Sequence, residues 1–158
     1  MLQYRQKAKL AQKLNTRDKT EKRPCNFCDP KFLVEVITEN STMRVARNRV
    51  SYDLFEGVEV SDHLMILPKE HRAGFAEFTD QEKIDHLNLA AEFEAKGYNL
   101  YTRAPKSKTR SVAHLHSHLL QMKGRRVKAL LYLSKPHILI HGKRAVDIIK
   151  PLHKRTKG

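Results

Sequence analysis

Three histidines occupy alternate positions in one apolar stretch of the chain. They are His114, His116 and His118, in SVAHLHSHLLQ at residues 111–121. If this stretch is a β-strand, its side chains alternate between faces, so the three rings share one face. Three imidazoles make a poor apolar surface, because each needs a polar partner when buried. The spacing therefore favours chemistry, either metal binding through unprotonated nitrogens or attack of one ring on phosphorus with its neighbours assisting.

Two cysteines form a second group with chemical potential. Cys25 and Cys28 stand in CNFC, and the chain holds nine histidines as further ligands. Two cysteines cannot build a disulfide framework, and this spacing suits a metal or redox role in a reducing compartment. The alternative interpretation is an ordinary turn that contains two small residues.

The elements that must hold these residues are short strands and one clear helix. The sequence predicts the helix over about residues 80–96, with Thr79 as N-cap, Glu82 completing a capping box and Gly97 just past the end. Ile84, Leu87 and Ala91 are expected to form its buried face. Strand-type runs are found at residues 31–37, 41–47, 63–68, 98–104, 111–121, 127–133 and 136–141. This pattern predicts an α+β fold, a mainly antiparallel sheet of about five strands with the helix packed on it.

Positive charge is concentrated at the two ends of the 158-residue chain. Residues 1–23 hold eight Lys and Arg against two acids, and residues 123–158 hold eleven against one. The sequence thus divides into a basic arm at 1–23, a folded domain at 24–142 and a basic tail at 143–158. Basic ends suggest partners rich in phosphate, such as RNA or DNA. The alternative is that they only improve solubility.

The apolar runs are too short to cross a bilayer, which takes about 20 residues. The first residues also lack the continuous apolar run of a signal peptide. We therefore expect no membrane insertion and a cytoplasmic location.

Four motifs in the same order resemble those of the histidine triad (HIT) superfamily of nucleotidyl hydrolases and transferases. SVAHLHSHLL resembles its His-x-His-x-His signature, and DHLMILPKEH is similar to the strand that ends in Pro-Lys-x-His. GYNLYTRA resembles the strand before its phosphate loop, and CNFC the Cys-x-Phe-Cys that opens many bacterial members. The resemblance covers roughly residues 25–121 and leaves both charged ends out.

The resemblance implies a role for each matching histidine. His116 would be the nucleophile that attacks the α-phosphorus of a nucleotide. His118 would contact the phosphate and help the leaving group depart, and His63 would lie beside the triad. Ser111 matches a serine that contacts phosphate. Asp53 is the first candidate for the acid that holds the ribose hydroxyls, and Glu56 the second.

The resemblance also implies a structural zinc ion. Its ligands would be both cysteines of CNFC, the histidine that ends the Pro-Lys-x-His motif and the first triad histidine, here Cys25, Cys28, His71 and His114. A closed Cys₂His₂ set leaves no open position for a substrate, which is typical of structural zinc. Homodimers are common in this family, and the resemblance extends that expectation to this chain.

The sequence departs from the family pattern beside the phosphate. Arg110 replaces the usual glutamine before Ser111, and Arg103 replaces an asparagine of many members. Arginine holds phosphate oxygens in a bidentate fork, so both changes favour a highly charged substrate such as a polyphosphate or a nucleic-acid 5′ end. The alternative is a solvated basic loop. Ser117 replaces a commonly apolar residue and faces away from the rings, so only a packing change is expected there.

Two functions of different classes follow. The first is an enzyme that acts on dinucleoside polyphosphates, nucleoside phosphoramidates or adenylylated ends through a nucleotidyl-histidine intermediate. The second is a nucleic-acid-binding or ribosome-binding protein on a zinc-stabilised fold with little turnover. The intact histidines favour the enzyme, and the charged ends favour the binding protein.

Overall fold

The computed structural model describes residues 25–28, 33, 35–127, 129–133 and 138–142, the last two by their backbone alone. The basic arm and the basic tail of the predicted division lie outside these residues. Within them, no helix has the length and apolar character needed to cross a bilayer. The elements are β1 (Val36–Glu39), β2 (Met43–Arg47), β3 (Leu54–Phe55), β4 (Val58–Glu59), β5 (Asp62–Pro68), a 3₁₀ turn (Phe75–Glu77), α1 (Asp80–Ala95), β6 (Asn99–Thr102), β7 (Ser117–Gln121), β8 (Ala129–Leu133) and β9 (Ile138–Gly142).

The main sheet has five antiparallel strands in the order β1, β2, β5, β7, β6. The predicted α+β fold is therefore confirmed. Strands β5 and β7 lie at the centre, and their register sets Met65 opposite His118. The predicted pair near the end of the described chain also forms, with β8 and β9 antiparallel from Ala129 opposite Gly142 to Leu133 opposite Ile138.

The two faces of the sheet have different coverings. On one face, α1 packs against β2, β5 and β6 over the largest apolar cluster, which includes Val45, Ile66, Leu89, Phe93 and Leu119. The opposite face holds two smaller clusters. One is formed by Ala46, Met65 and Leu67 with Phe27 and Leu33, and the other by Tyr52, Phe55 and Leu120 with Val60, Tyr101 and Met122. Because side chains alternate along β5, His63 lies on the same face as Met65.

Helix α1 begins and ends where the sequence predicts, but its buried face is different. Thr79 and Glu82 form the capping box, and Gly97 follows the helix with φ of 83°. Ile84 and Leu87, expected to be buried, are 53% and 68% exposed. Ala91 is exposed as well.

Polar anchors explain this rotation of the helix. Asp85 accepts hydrogen bonds from Ser41 Oγ at 2.5 Å and from Thr42 Oγ1 at 2.8 Å, both in the turn between β1 and β2. These bonds lower the pKa of Asp85. His86 reaches across to Ser117 on β7. Two polar residues therefore face the sheet beside Leu89 and Phe93, and the apolar residues of the other stripe face outward.

The histidine-bearing strand is shorter than the sequence predicts. Strand β7 begins at Ser117, so His114 and His116 precede it. The cause lies in β5, whose pairing with β7 ends at Ile66 opposite Ser117. Before that point Leu115 donates its backbone N–H to the carbonyl of Arg72 at 2.6 Å instead. The strand that carries the rings is therefore shorter than expected, and all three rings are buried.

A small hairpin that the sequence analysis missed lies next to the sheet. Strands β3 and β4 pair antiparallel around Glu56 and Gly57, which have φ of 51° and 76°. Positive φ at both central residues is the requirement of a type I′ turn. Glycine adopts a positive φ without strain, but glutamate rarely does. The dipeptide Glu-Gly is therefore a weaker sequence signal for this turn than Asn-Gly or Asp-Gly.

Candidate active site and metal centre

Three buried histidines from β5 and the start of β7 meet on the face opposite the helix. His63, His116 and His118 are 2%, 5% and 1% exposed. His63 Nε2 lies 2.9 Å from His118 Nδ1, a hydrogen-bond distance. The rings of His116 and His118 are 4.9 Å apart at 88°. The structure thus brings together the three residues to which the resemblance gives catalytic roles.

A backbone carbonyl fixes the middle ring of the triad. His116 Nδ1 lies 2.9 Å from the carbonyl oxygen of His114. A carbonyl only accepts, so Nδ1 carries the proton and donates it. In a neutral ring this leaves the lone pair on Nε2, the atom that must be unprotonated in a nucleophile.

Two tyrosine rings stack on histidines of this cluster. The Tyr52 ring stacks on His63 at 4.9 Å and 7°, and its backbone N–H donates to His63 Nδ1 at 3.0 Å. The Tyr101 ring stacks on His118 at 6.0 Å and 19°. Asn48 Nδ2 lies 2.8 Å from His63 Nε2. The sequence analysis did not assign Tyr52, Tyr101 or Asn48 to the site.

Arg103 lies against the same two tyrosines. It is 8% exposed, and its Nη1 lies 3.3 Å from His118 Nε2. Its Nη2 donates to the Tyr52 hydroxyl. The guanidinium carbon is 5.8 Å from the centre of the Tyr52 ring and 5.4 Å from that of Tyr101, within cation–π range. This cation is therefore part of the histidine cluster.

The other residues expected to bind nucleotide are differently placed. Arg110 donates from Nε to the carbonyl of Val112 at 2.9 Å and from Nη2 to that of Ala113. Burial lowers its pKa. Its guanidinium thus stabilises, through these two hydrogen bonds, the loop that leads to the triad. Ser111 is exposed in that loop, and Asp53 is half-buried directly after Tyr52.

Glu56, the second candidate for the ribose acid, is exposed at the tip of the β3–β4 turn. Its exposure makes it the less favourable of the two, because Asp53 is half-buried beside Tyr52.

A polar network supports the strand from the helix side. His86 Nε2 lies 2.9 Å from Ser117 Oγ, and Thr102 Oγ1 donates to the same oxygen at 2.8 Å. Burial lowers the pKa of His86, which favours its neutral form. Ser117 faces away from the triad rings as expected, but it forms hydrogen bonds rather than only packing.

Four predicted metal ligands converge at the other end of the triad. The ligand atoms of Cys25, Cys28, His71 and His114 lie within 4.8 Å of one another. His114 Nδ1 is 3.5 Å from Cys25 Sγ and 3.4 Å from Cys28 Sγ, and His71 Nδ1 is 3.4 Å from Cys28 Sγ. Two thiols and two imidazoles in this arrangement fit the donor preference of zinc.

The protonation of these ligands also suits a metal. Burial is the main cause that lowers the pKa of His114 to about 4, so its ring is neutral at physiological pH. His114 Nε2 lies 3.0 Å from the carbonyl oxygen of Pro68, so it carries the proton and Nδ1 faces the thiols with its lone pair. Such an outer hydrogen bond orients many metal-binding histidines. Burial, together with the Cys25 thiol, raises the pKa of Cys28, and a bound cation would favour its thiolate.

Solved structures similar to this chain include several named as HIT family or histidine triad proteins. No family model matches the sequence, and no curated protein matches it. A HIT family hydrolase from Legionella pneumophila Philadelphia 1 is 22% identical, with TM-score 0.47 over 66% of this chain and 96% of that one. A HIT family hydrolase from Clostridium thermocellum is 22% identical, with TM-score 0.47 over 70% and 98%. A histidine triad protein from Clostridium difficile is 18% identical, with TM-score 0.46 over 69% and 97%.

Several of these structures carry the name of the family that the motifs of this chain resemble. At these identities and TM-scores the likeness carries no conclusion about substrate or mechanism. The two ends of the histidine row have separate surroundings: His114 faces thiols, and His118 faces an arginine and a second histidine. The donors at one end could therefore hold a metal ion, and the other end carries a buried guanidinium, a group that suits anions.

The residues that sequence reasoning missed share one property. Asn48, Tyr52 and Tyr101 reach the histidines through the pairing of strands or through backbone atoms. Neither Asn48 nor Tyr52 stands in a motif with characteristic spacing. Tyr101 alone carried a usable signal, because it lies two residues before Arg103 and so shares its face of the strand.

Proposed function

We propose that this chain is a nucleotidyl hydrolase or transferase of the histidine triad type. The observation that carries the proposal is the fixed orientation of His116, whose Nδ1–H donates to the His114 carbonyl while its ring lies against His118. His116 Nε2 attacks the α-phosphorus of a nucleotide, and the N–P bond forms as the bond to the leaving group breaks. Water or another acceptor then cleaves the N–P bond and restores the neutral ring.

The neighbours of His116 have complementary roles in this proposal. His118, hydrogen-bonded to His63, transfers a proton to the leaving group and contacts the phosphoryl oxygens. Arg103, adjacent to His118, offsets the negative charge that the phosphoryl oxygens carry in the transition state. Ser111 and Asp53 remain the proposed contacts to phosphate and ribose, and Arg110 positions the loop that carries Ser111.

We assign zinc to the metal group. Cys25, Cys28, His71 and His114 would hold it, and when bound it supplies a cross-link between the turn at the cysteines and the chain before β7. Since these four protein ligands would complete its coordination, the ion would have a structural role and no open position for a substrate. A reducing compartment such as the cytoplasm keeps both thiols available.

Trapping the intermediate tests the mechanism. Protein mixed with an α-³²P-labelled dinucleoside polyphosphate or nucleoside phosphoramidate and quenched at neutral to alkaline pH should carry an acid-labile nucleotidyl group on His116. His116→Asn should lose the label and the turnover but retain the fold and the metal. His86→Gln is the matched control, since His86 is buried on the helix side of the sheet. Label on another residue, or turnover by His116→Asn, would contradict the assignment.

The charge of the chain favours nucleic-acid binding as a second function. Nineteen of the 31 Lys and Arg residues lie at 1–23 and 123–158. A chain shortened by residues 1–23 should bind RNA more weakly and retain its turnover of small nucleotides. Binding by the whole chain should decrease steeply with salt. Salt-independent binding, or no binding at low salt, would exclude this function.

A second copy of the chain is the proposed protein partner. Helix α1 exposes Ile84 and Leu87, and the edge strand β6 exposes Leu100. Apolar side chains beside an unpaired strand edge are typical of a surface that another chain covers. Light scattering should give twice the chain mass for the wild type and a smaller mass for Leu87→Asp. Equal masses would reject this surface.

A further inference from the structure

The aromatic residue between the two cysteines contacts both parts of the site. Phe27 lies in the turn that Cys28 N–H closes on the Cys25 carbonyl at 3.0 Å. Its ring is 5.9 Å from the ring of His114 at 80°, and 5.5 Å from the ring of His116 at 70°. Both are edge contacts of the favourable kind. One side chain therefore touches a metal ligand and the nucleophile.

Phe27 is also anchored to the sheet. It packs with Leu33 against the buried cluster of Ala46, Met65 and Leu67. The ring is thus held between this cluster and the two histidines, on a turn whose ends are the two thiols. Movement of the turn would move the ring relative to His116.

A second connection runs through the backbone of His114. Its ring faces Cys25 and Cys28 with Nδ1 and the carbonyl of Pro68 with Nε2. Its own carbonyl accepts the Nδ1 proton of His116. The group that sets the tautomer of the nucleophile therefore belongs to a metal ligand.

We propose that Phe27 is a positioning residue through which metal loading controls the orientation of His116. This inference rests on the proposed function for its catalytic consequence only. A metal at Cys25, Cys28, His71 and His114 holds the turn and the His114 backbone in place, and these two contacts together fix the nucleophilic ring. Without the metal both contacts loosen, and His116 loses its alignment although the sheet that carries His118 remains. The metal centre is then a control point for activity as well as a structural cross-link.

Nuclear magnetic resonance of the histidine rings tests the inference without relying on turnover. In protein labelled with ¹⁵N and ¹³C at histidine, the Nδ1 and Nε2 shifts of His116 should report one tautomer in the zinc-loaded form. Removal of zinc by a chelator should shift and broaden the His116 signals and leave those of His86 in place. Phe27→Leu, which keeps an apolar side chain, should shift the His116 ring protons even when zinc is bound.

Phe75→Leu is the matched control. Phe75 makes a similar edge contact with a histidine, at 5.0 Å and 76°, but the histidine is His86 on the helix. This variant should shift His86 and leave His116 unchanged. Equal zinc content in Phe27→Leu and the wild type should show that the ring, and not metal loss, is the cause.

Kinetics provide the second measurement. Phe27→Leu should reduce kcat about 10- to 100-fold with little change in KM, because small misplacement of a reacting group has effects of that size. If Phe27→Leu does not fold, chelator titration of the wild type gives the same His116 readout. His116 signals that stay unchanged in both experiments would overturn the inference. Turnover absent in the wild type, with His116 still responding to zinc, would instead reject the proposed function and retain the coupling.

Discussion

The first and last histidines of the triad have the same side chain and opposite environments. His114 precedes strand β7 and faces two thiols, with a backbone carbonyl on its far nitrogen. His118 lies within β7, between the His63 ring and the Arg103 guanidinium. The environment of His114 suits a neutral metal ligand. The environment of His118 contains a second imidazole, which can exchange protons, and a guanidinium, which can bind anions. Residue type alone therefore does not set the role of a triad histidine.

Paired substitutions at the two ends should give the largest effects. His114→Asn should lose the metal and unfold at a markedly lower temperature, because binding free energy of a structural zinc contributes directly to folding. His118→Asn should retain the metal and the wild-type unfolding temperature. Its kcat should decrease about 10²- to 10⁴-fold, the usual contribution of a general acid. Metal analysis, thermal unfolding and steady-state kinetics check both variants. Metal loss from His118→Asn would remove the distinction between the ends.

The arginine at the His118 end should give the next largest effect. Arg103→Met should reduce kcat/KM about 10- to 100-fold, because hydrogen bonds to charged groups contribute about 1.5–3 kcal/mol. Arg103→Lys keeps the charge but loses the planar fork that reaches both His118 and Tyr52. It should recover only part of the loss. Full activity in Arg103→Met would show that this guanidinium serves packing alone.

The sequence predicted the elements with strong local signals. The capping box of Thr79 and Glu82 depends on residues three positions apart, so the start of α1 was accurate. The metal group was also predicted, because CNFC and the two matching histidines stand in motifs. The rotation of α1 was not, since it depends on hydrogen bonds that Asp85 accepts from a turn more than 40 residues earlier. The apolar periodicity of the helix sequence does not indicate such long-range hydrogen bonds.

The start of β7 was missed for a similar reason. Alternation of His114, His116 and His118 continues smoothly through Ser117, so nothing local marks the boundary. The boundary is set by the loop after β5, where the Arg72 carbonyl accepts a hydrogen bond from the backbone N–H of Leu115. The stacking of Tyr101 on His118 likewise depends on strand pairing, since the two residues are opposite each other in the β6–β7 ladder.

Acid should weaken the support behind the strand by a smaller amount. Burial lowers the pKa of His86 in the folded state, whereas the unfolded chain has the ordinary value of about 6.5. The unfolded state then binds more protons, so this contribution to stability is complete above pH 6.5 and is lost as the pH falls below it. Zinc-loaded His86→Leu should show a flatter dependence of the unfolding free energy on pH between 6.5 and 5. Identical slopes in the two proteins would contradict this role.

The smallest effect is expected from a hydroxyl beside β5. Tyr98 donates to Asp62 Oδ2 at 2.6 Å, and burial is the first cause that raises its pKa to about 12. Tyr98→Phe should lower the unfolding free energy by about 1 kcal/mol, as for an ordinary hydrogen bond, with unchanged metal content. Urea unfolding measures the difference. A change in metal content would show that the two ends of the site are less separate than the geometry indicates.

The separation of the metal ligands along the chain has a consequence for synthesis. Cys25 and His114 are 89 residues apart, and Cys28 and His114 are 86 apart. At about 5–20 residues per second, the ribosome needs roughly 4–18 s to make the intervening segment. His71 lies 43 residues after Cys28 and is made about midway, whereas His114 is missing from the set for the whole of that time. The nascent chain therefore presents an incomplete set of the proposed ligands to metal ions and oxidants for several seconds before its last imidazole is made.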